Sequence, residues 1–447
     1  MQMYAGLPVI TNKITPSEQQ GIPHHLIGNV SLEEEPWTVG HFKSKAEGII
    51  KEIRSRGRLP ILVGGTHYYT QSLLFEDSLV GDSNEKAADG AGDYLKREEI
   101  SKKFPILEAS TEEILEKLRE VDPVMADRWH PNDRRKIQRS LEIYLTQGKK
   151  ASDVYAEQRE RKSAPNKADF VTNISISDPT VSLSSTLLFW VHADPEILKS
   201  RLDARVDKML QQGLISEVQT LDKFQGLETV AGRVPDRTSG IWVSIGFKEF
   251  SSYLSALANP AASEKDIEKA LALSIEQTKA ATRQYAKRQV RWIRLKLLTA
   301  LKAAGSLKNL YLLDGSDVSQ FACDVADPAI KICGEFLKGE ELPEPTSMSP
   351  IAAELLVSER EFDLGARPDL WVRQTCEVCN TTAVTEEQWK LHLQSRGHRG
   401  KLRKLNKPPR QVGAAPPDPI LDTEIESRLD MVDSPSPTKS ISEDTPT

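Results

Sequence analysis

Three stretches predict an α/β fold built on a parallel sheet, with a helical insertion and a small metal-binding module near the far end. In "LPILVGGTHYY" (residues 59–69) a short apolar run, 59–63, ends in Gly64-Gly65-Thr66 and passes into helical spacing. Before it, residues 43–56 place Ala46, Ile49, Ile50 and Ile53 on one helical face. Helix, strand, Gly turn, helix is the repeating unit of a parallel sheet. In "TLLFWVH" (residues 186–192) a second buried strand returns the chain to that sheet. In "CEVCNTTAVTEEQWKLHLQSRGH" (residues 376–398) two cysteines and two histidines stand at ligand spacing.

The 447 residues suffice for two or three domains, and 28% charged with 38% hydrophobic residues suits a soluble globular chain. Four cysteines argue against a secreted disulfide scaffold, and Cys323 and Cys333 read as buried apolar thiols. No apolar run approaches the roughly 20 residues needed to span a membrane. The opening "MQMYAGLPV" has neither a signal-peptide pattern nor an Arg-rich presequence. The net charge of −6 is unevenly spread. Residues 279–302 carry eight Lys/Arg and no acid, residues 371–410 nine basic against three acidic, and residues 411–447 eight acidic against two basic. Local basic stretches in an acidic chain point to a shaped nucleic-acid footprint.

The remaining elements follow in order. "EEILEKLREVDPVMADRWHPNDRRKIQRSLEIYLTQGK" (residues 112–149) reads as a helical subdomain, interrupted at Pro131-Asn132-Asp133, which starts the basic helix after it. Residues 164–185 are Ser/Thr-rich and read as a loop. After the second strand, Asp194 is an N-cap, Pro195 takes the first helical position, and Glu196 suits the positive end of the dipole. Leu198, Leu202, Val206, Met209 and Leu210 form the apolar stripe, and Gly213 is the stop. A second helical block covers 263–304, a Pro-rich linker lies near 342–350, and residues from 408 onward read as disordered.

The expected division is 1–80 and 186–340 as two parts of one α/β core, 81–185 as inserted helical domain, 341–370 as linker, 371–407 as finger and 408–447 as acidic tail.

Cys376-x2-Cys379, twelve residues, His392, five residues and His398 have the spacing of a tetrahedral zinc site. The thiolates would lie on a knuckle and the imidazoles on a helix, with Trp389 and Leu393 packing behind the metal. The five-residue gap and "SRGHRGK" favour backbone or RNA contact over three-base DNA reading. A single finger supplies little sequence specificity and reads as an auxiliary grip.

"TRQYAKRQVRWIRLKLL" (residues 282–298), as one helix, puts Arg283, Lys287, Arg291 and Arg294 on an outward stripe, with Gln284, Arg288 and Gln289 alongside. Ala286, Val290, Ile293 and Leu297 form its apolar face. A solvated charged face is the alternative, but without acids the usual i,i+4 ion pairs are unavailable, which favours phosphate contact. "RRKIQR" (residues 134–139) is a weaker candidate of the same kind. Gly64-Gly65-Thr66 is either a tight turn or a helix N-terminus offered to an anion. Arg201 and Arg205 are one turn apart, and either Arg205 clamps a diphosphate or the two join a helical ladder with Asp203 and Asp207; spacing leaves both open.

Together these stretches resemble the tRNA dimethylallyltransferase (isopentenyltransferase) family in its eukaryotic form with an appended zinc finger. The resemblance rests on "MQMYAGLPVITNK", "GIPHHLIG", "LPILVGGTHYY", "DPVMADRWHPNDRRKIQRSLEIY", "RLDARVDKML", "GIWVSIGFKEF" and "TRQYAKRQVRWIR", in the family's order. It covers roughly residues 1–300, and with the finger reaches about 405. It implies a core like that of the P-loop NTPases and transfer of a dimethylallyl group from dimethylallyl diphosphate to N6 of adenosine 37 beside the tRNA anticodon. It also implies Mg2+ at the diphosphate, zinc in the finger, a monomer with no membrane partner, and work in cytoplasm and mitochondrion with the nucleus a further compartment. By that likeness Arg205 binds the diphosphate and Thr66 lies at the flipped base, both as catalytic residues. Met1 and Gln2 hold the target adenine. Arg135, Lys136, Ile137, Gln138 and Arg139, then Ser244, Ile245, Gly246, Phe247 and Lys248, then Lys287, Arg288, Gln289, Arg291, Trp292 and Arg294, match stretches that contact the anticodon stem-loop.

One departure is plain. The family has a phosphate loop, G-x-T-x-x-G-K-[ST], and a D-S-M-Q motif whose Asp is the general base. No G-x-x-x-x-G-K-[ST] occurs here and no Asp precedes Gln2. The expectation is a chain of the family, shortened at its N-terminus and with little or no activity as it stands. The alternatives are a non-catalytic tRNA-binding protein derived from the family, and a nucleotide kinase of related fold, for which the basic helix and finger have no use.

Overall fold

The computed structural model describes residues 1–75, 99–163, 186–232, 236–237, 239–358 and 370–405. The loop expected at 164–185, the start of the insertion at 81–98 and the tail from 408 lie outside these residues.

The first of three apolar cores joins the start of the chain to its middle. Tyr4, Leu7, Ile10 and Val30 pack against Leu214, Val218, Trp242, Phe247 and Phe250. The Glu217 carboxylate accepts from the Val9 and Ile10 amides at 2.9 and 2.7 Å, tying down a segment that is otherwise turns. Gly240 adopts φ +59, and a Cβ there would meet the Tyr4 hydroxyl and the Pro36 ring at 2.7 Å, so only glycine fits.

The second core holds a parallel strand pair, β1 (Leu188–His192) and β2 (Leu310–Asp314), in register from Leu188 opposite Leu310 to His192 opposite Asp314. Strand β2, absent from the sequence reading, is a five-residue apolar run, "LYLLD", hidden behind a long helical block. The Leu298–Ala303 and Pro350–Leu355 helices bury it, through Leu298, Leu301, Ala352 and Leu356. Residues 342–356, expected as linker, therefore pack on the sheet. Tyr311 donates to the Pro343 carbonyl at 2.7 Å, and Ser349 caps the Pro350 helix through the Ala352 amide.

The strand expected at 59–63 does not form. The segment joins no ladder among the described residues, and Ile61 and Val63 are 78% and 87% exposed. Strand composition becomes a strand only against a partner's row of N–H and C=O groups, and no described segment supplies one. The helix before it forms, as Val39–Ser55 with Ala46 buried.

The third core is the insertion, where the Thr111–Val121, Pro123–Arg128 and Arg134–Gln147 helices bury Ile114, Leu118, Met125, Ile137 and Leu141. Its capping is legible: Ser110 and Glu113 form a capping box, Asp133 caps the basic helix, and Gly148 closes it at φ +68. Fully buried Asp122 caps the Pro123 helix and also accepts from the Ser152 amide at 2.8 Å.

The Pro195–Gln211 helix starts at Asp194, whose carboxylate accepts from the Glu196 and Ile197 amides, and Gly213 follows it at φ +104. The long Glu264–Trp292 helix begins in a Ser263/Asp266 capping box. A π-turn, Ile293–Leu297, interrupts it before the Leu298–Ala303 helix, so the single helix expected over 282–298 changes phase near its end. Cys323 is exposed and Cys333 half-buried, against the expectation of two buried thiols: both belong to a surface helical region.

Candidate functional site

The short His67–Leu74 helix is seated on the basic helix by three hydrogen bonds. The Thr66 hydroxyl lies 2.7 Å from that of Tyr285, the His67 amide donates to Gln289 Oε1 at 3.1 Å, and Trp292 Nε1 donates to Gln71 Oε1 at 2.8 Å. Thr66 stands at the N-cap but makes no capping bond with its side chain, so its hydroxyl is oriented from the other helix. Burial holds the His67 imidazole below its ordinary value, which favours the neutral ring beside Thr66. Gln289 and Trp292, expected at RNA, thus also seat the His67–Leu74 helix. Tyr285 and Gln71 were not singled out from sequence, because only their partners reveal them.

The ladder alternative for Arg201 and Arg205 does not form. Asp203 pairs with Arg283 at 2.5 Å and Asp207 with Lys279 at 2.7 Å, clamping the Pro195–Gln211 helix to the basic helix. Arg201 donates to the Gly315 carbonyl at 2.6 Å and to that of Ser316. Arg205, one turn on, has no carboxylate partner among the described residues.

This also corrects the outward stripe of four cations. Arg283 is spent on Asp203, and Arg294, within the π-turn, is half-buried. Lys287, Arg288 and Arg291 are exposed. In the insertion, Arg135, Lys136 and Arg139 are exposed, Lys136 pairing with Asp133 and Arg139 with Glu142. Ile137 is core, and Gln138 donates inward to the Leu107 carbonyl at 3.1 Å. Of Ser244 to Lys248, only Lys248 is exposed. Ser244 and Phe247 are 2% and 8% exposed, and Gly246 sits at φ +101 against Ile10. Those positions shape the core beneath any surface contact. Met1 is exposed, and Gln2 donates to the Asn12 carbonyl at 2.7 Å.

In the finger, β3 (Trp371–Cys376) and β4 (Thr381–Thr385) form an antiparallel hairpin whose knuckle carries Cys376 and Cys379. His392 lies on the Glu386–Gln394 helix, but His398 lies on a second helix, Arg396–Leu405, because Ser395 is extended (φ −67, ψ 148). The two imidazoles thus do not share one helix, as expected. Leu393 is exposed, at 39%, whereas Ala383 of β4 is buried; Trp389 packs on His392 with ring centroids 5.8 Å apart. The four donor atoms lie within 4.8 Å of one another, with the Cys376 and Cys379 sulfurs 3.4 and 3.5 Å from His398 Nδ1. Buried His392 Nε2 has no hydrogen-bond partner among the described residues. Two thiols, two imidazoles and an orphaned ring nitrogen fit a tetrahedral zinc ion, held by Cys376, Cys379, His392 and His398.

Fold and site define an α/β enzyme core with a helical insertion and a C2H2-type finger. Residues 2–296 match the family model for IPP transferase, and residues 375–398 match that for a zinc-finger of C2H2 type. The chain belongs to the IPP transferase family. It is 34% identical over 413 residues to the tRNA dimethylallyltransferase of Saccharomyces cerevisiae, covering 90% of this chain and 85% of that one. It is 33% identical over 423 residues to the Schizosaccharomyces pombe tRNA dimethylallyltransferase, covering 90% and 88%. A solved eukaryotic dimethylallyltransferase acting on tRNA superposes with a TM-score of 0.66 at 33% identity, over 91% of this chain and 89% of that one.

Proposed function

We propose that this chain acts on tRNA, moving a dimethylallyl group from dimethylallyl diphosphate to N6 of adenosine 37. The observation that carries the reading is that the basic helix meets both Thr66, through Tyr285, and the helix that bears Arg205, through Arg283 and Lys279. Tyr285 orients Thr66, while Asp203 and Asp207 pair with Arg283 and Lys279, and Arg205 keeps no carboxylate partner among the described residues. In the transfer, the allylic C–O bond breaks, a C–N bond forms, N6 gives up a proton to water, and diphosphate leaves with its growing charge. Arg205 answers that charge, and Thr66 meets the flipped base. Lys287, Arg288 and Arg291, with Arg135, Lys136 and Arg139, are the cations for RNA phosphates.

Zinc held in the finger would fix the hairpin and place the basic Arg396–Leu405 helix as an added grip. Among the described residues no group of three or more His, Cys, Asp or Glu side chains outside the finger is placed to hold Mg2+. A second reading is binding of the stem-loop with little or no turnover. Incubation with an unmodified anticodon stem-loop and dimethylallyl diphosphate separates the readings. Mass gain on the RNA supports transfer. Binding without mass gain supports the second, and absence of binding overturns both.

A further inference from the structure

The finger does not hang free of the insertion; one guanidinium joins them. Arg128, the last residue of the Pro123–Arg128 helix, has its guanidinium carbon 4.5 Å from the Trp129 ring, 5.2 Å from Tyr155 and 4.7 Å from Trp371. The three rings come from three places: the turn after the helix, the Ala151–Ser163 helix, and the first residue of finger strand β3. Lys136 adds a second cation over Trp129 at 5.2 Å.

Each ring is anchored behind its face. Trp129 Nε1 donates to Ser140 Oγ at 2.9 Å, which ties it to the basic Arg134–Gln147 helix. Tyr155 is buried enough that its hydroxyl is pushed up, against the pull of Arg128. Trp371 begins the strand that ends in the metal ligand Cys376, and pairs with Thr385 across the hairpin. Two residues along, Arg373 is partly desolvated, with Arg119 and Asp127 of the insertion as its charged neighbours. A planar cation gains most from ring faces when water is kept from it, and three rings do this better than one.

We propose that Arg128 is a positioning residue: its aromatic cage locks the finger to the insertion, and the metal state of the finger is transmitted to the basic helix of the insertion through Trp371. The path is short. Metal organises the knuckle, the knuckle sets the β3–β4 hairpin, the hairpin holds Trp371 on Arg128, and Trp129 carries the contact to Ser140. The consequence for RNA, that insertion and finger grip as one body, rests on the reading proposed above; the joint itself does not.

The test is hydrogen exchange on the full chain, zinc-loaded and after chelation. In the unaltered chain, chelation should raise exchange over residues 123–147 by about tenfold, as a local opening equilibrium shifts. In Arg128→Ala exchange there should be raised already, and chelation should add nothing. Trp371→Ala, which leaves the insertion core intact, should behave the same way if Arg128→Ala fails to fold, and Arg128→Lys should restore part of the coupling. Unchanged exchange on chelation, or an equal response in the unaltered chain and Trp371→Ala, overturns the joint. Stem-loop binding is measured on the same samples. Coupling without RNA binding would remove the RNA reading and leave the joint, and RNA binding without coupling would do the reverse.

Discussion

The hydroxyls of Thr66 and Tyr285 lie 2.7 Å apart although 219 residues separate them in the chain. The bond joins the turn after residues 59–63 to the most basic helix. Removing either hydroxyl should cost about 1 kcal/mol, the net worth of one such bond. Thr66→Val, Tyr285→Phe and the double variant, compared by urea unfolding, should show coupling of about 0.5–1.5 kcal/mol. Strict additivity would mean that the two hydroxyls do not act together.

Arg205 should behave as a ligand residue and Arg201 as a structural one. Arg201 is consumed by the Gly315 and Ser316 carbonyls, whereas Arg205 has no carboxylate among the described residues. Arg205→Ala should weaken inorganic diphosphate binding by roughly 10–100-fold, the loss of a charge-assisted bond, with the unfolding midpoint kept. Arg201→Ala should lower the midpoint. Calorimetric titration of both variants decides, and equal effects on diphosphate would sink the distinction.

Local signals in this chain were legible and distant pairings were not. Asp194, Pro195 and Gly213 bound the Pro195–Gln211 helix as their chemistry dictates, since caps depend on neighbours within one turn. The four finger ligands were readable from spacing alone. Their placement on two helices was not, because one extended φ/ψ pair at Ser395 decides it. Arg283 looked like an outward cation because its partner, Asp203, lies 80 residues earlier. Residues 59–63 looked like a strand because composition reports propensity, while pairing depends on what lies alongside.

Tyr4 gives the fold an alkaline limit. Burial, then the neighbouring Tyr69 and Glu35, push its hydroxyl up to about 12, with the Ile241 amide pulling the other way. The folded value exceeds the unfolded value near 10, so the unfolded chain loses this proton first. Stability from this group is complete below pH 10 and lost as pH rises through about 12. Denaturant midpoints from pH 9 upward should fall less steeply for Tyr4→Phe than for the unaltered chain. Parallel curves would show that Tyr4 ionises equally in both states.

The finger should tolerate change at Leu393 but not at His398. Leu393 is exposed, while His398 is buried within 3.5 Å of both cysteine sulfurs. Leu393→Ala should leave zinc stoichiometry at one per finger. His398→Ala, or Ser at Cys376 and Cys379, should abolish tight zinc binding and unfold the hairpin, as small metal domains lose their folding energy with the metal. Zinc-release titration with circular dichroism reads both effects, and a folded hairpin without the ion would contradict the assignment.

The basic helix should divide into cations that face RNA and one that holds the fold. Lys287, Arg288 and Arg291 are exposed, whereas Arg283 is bound to Asp203 at 2.5 Å. Each phosphate contact releases counterions, so its loss should reduce the salt slope of stem-loop binding by about 0.7–0.9. Lys287→Ala, Arg288→Ala and Arg291→Ala should weaken affinity in this salt-dependent way with little change in stability. Arg283→Ala leaves Asp203 unpaired at the helix–helix contact, so it should lower the unfolding midpoint and keep the slope. Binding measured across a salt series, beside thermal unfolding of the same samples, separates the two roles. A slope that falls equally in all four variants would put Arg283 back among the RNA-facing cations.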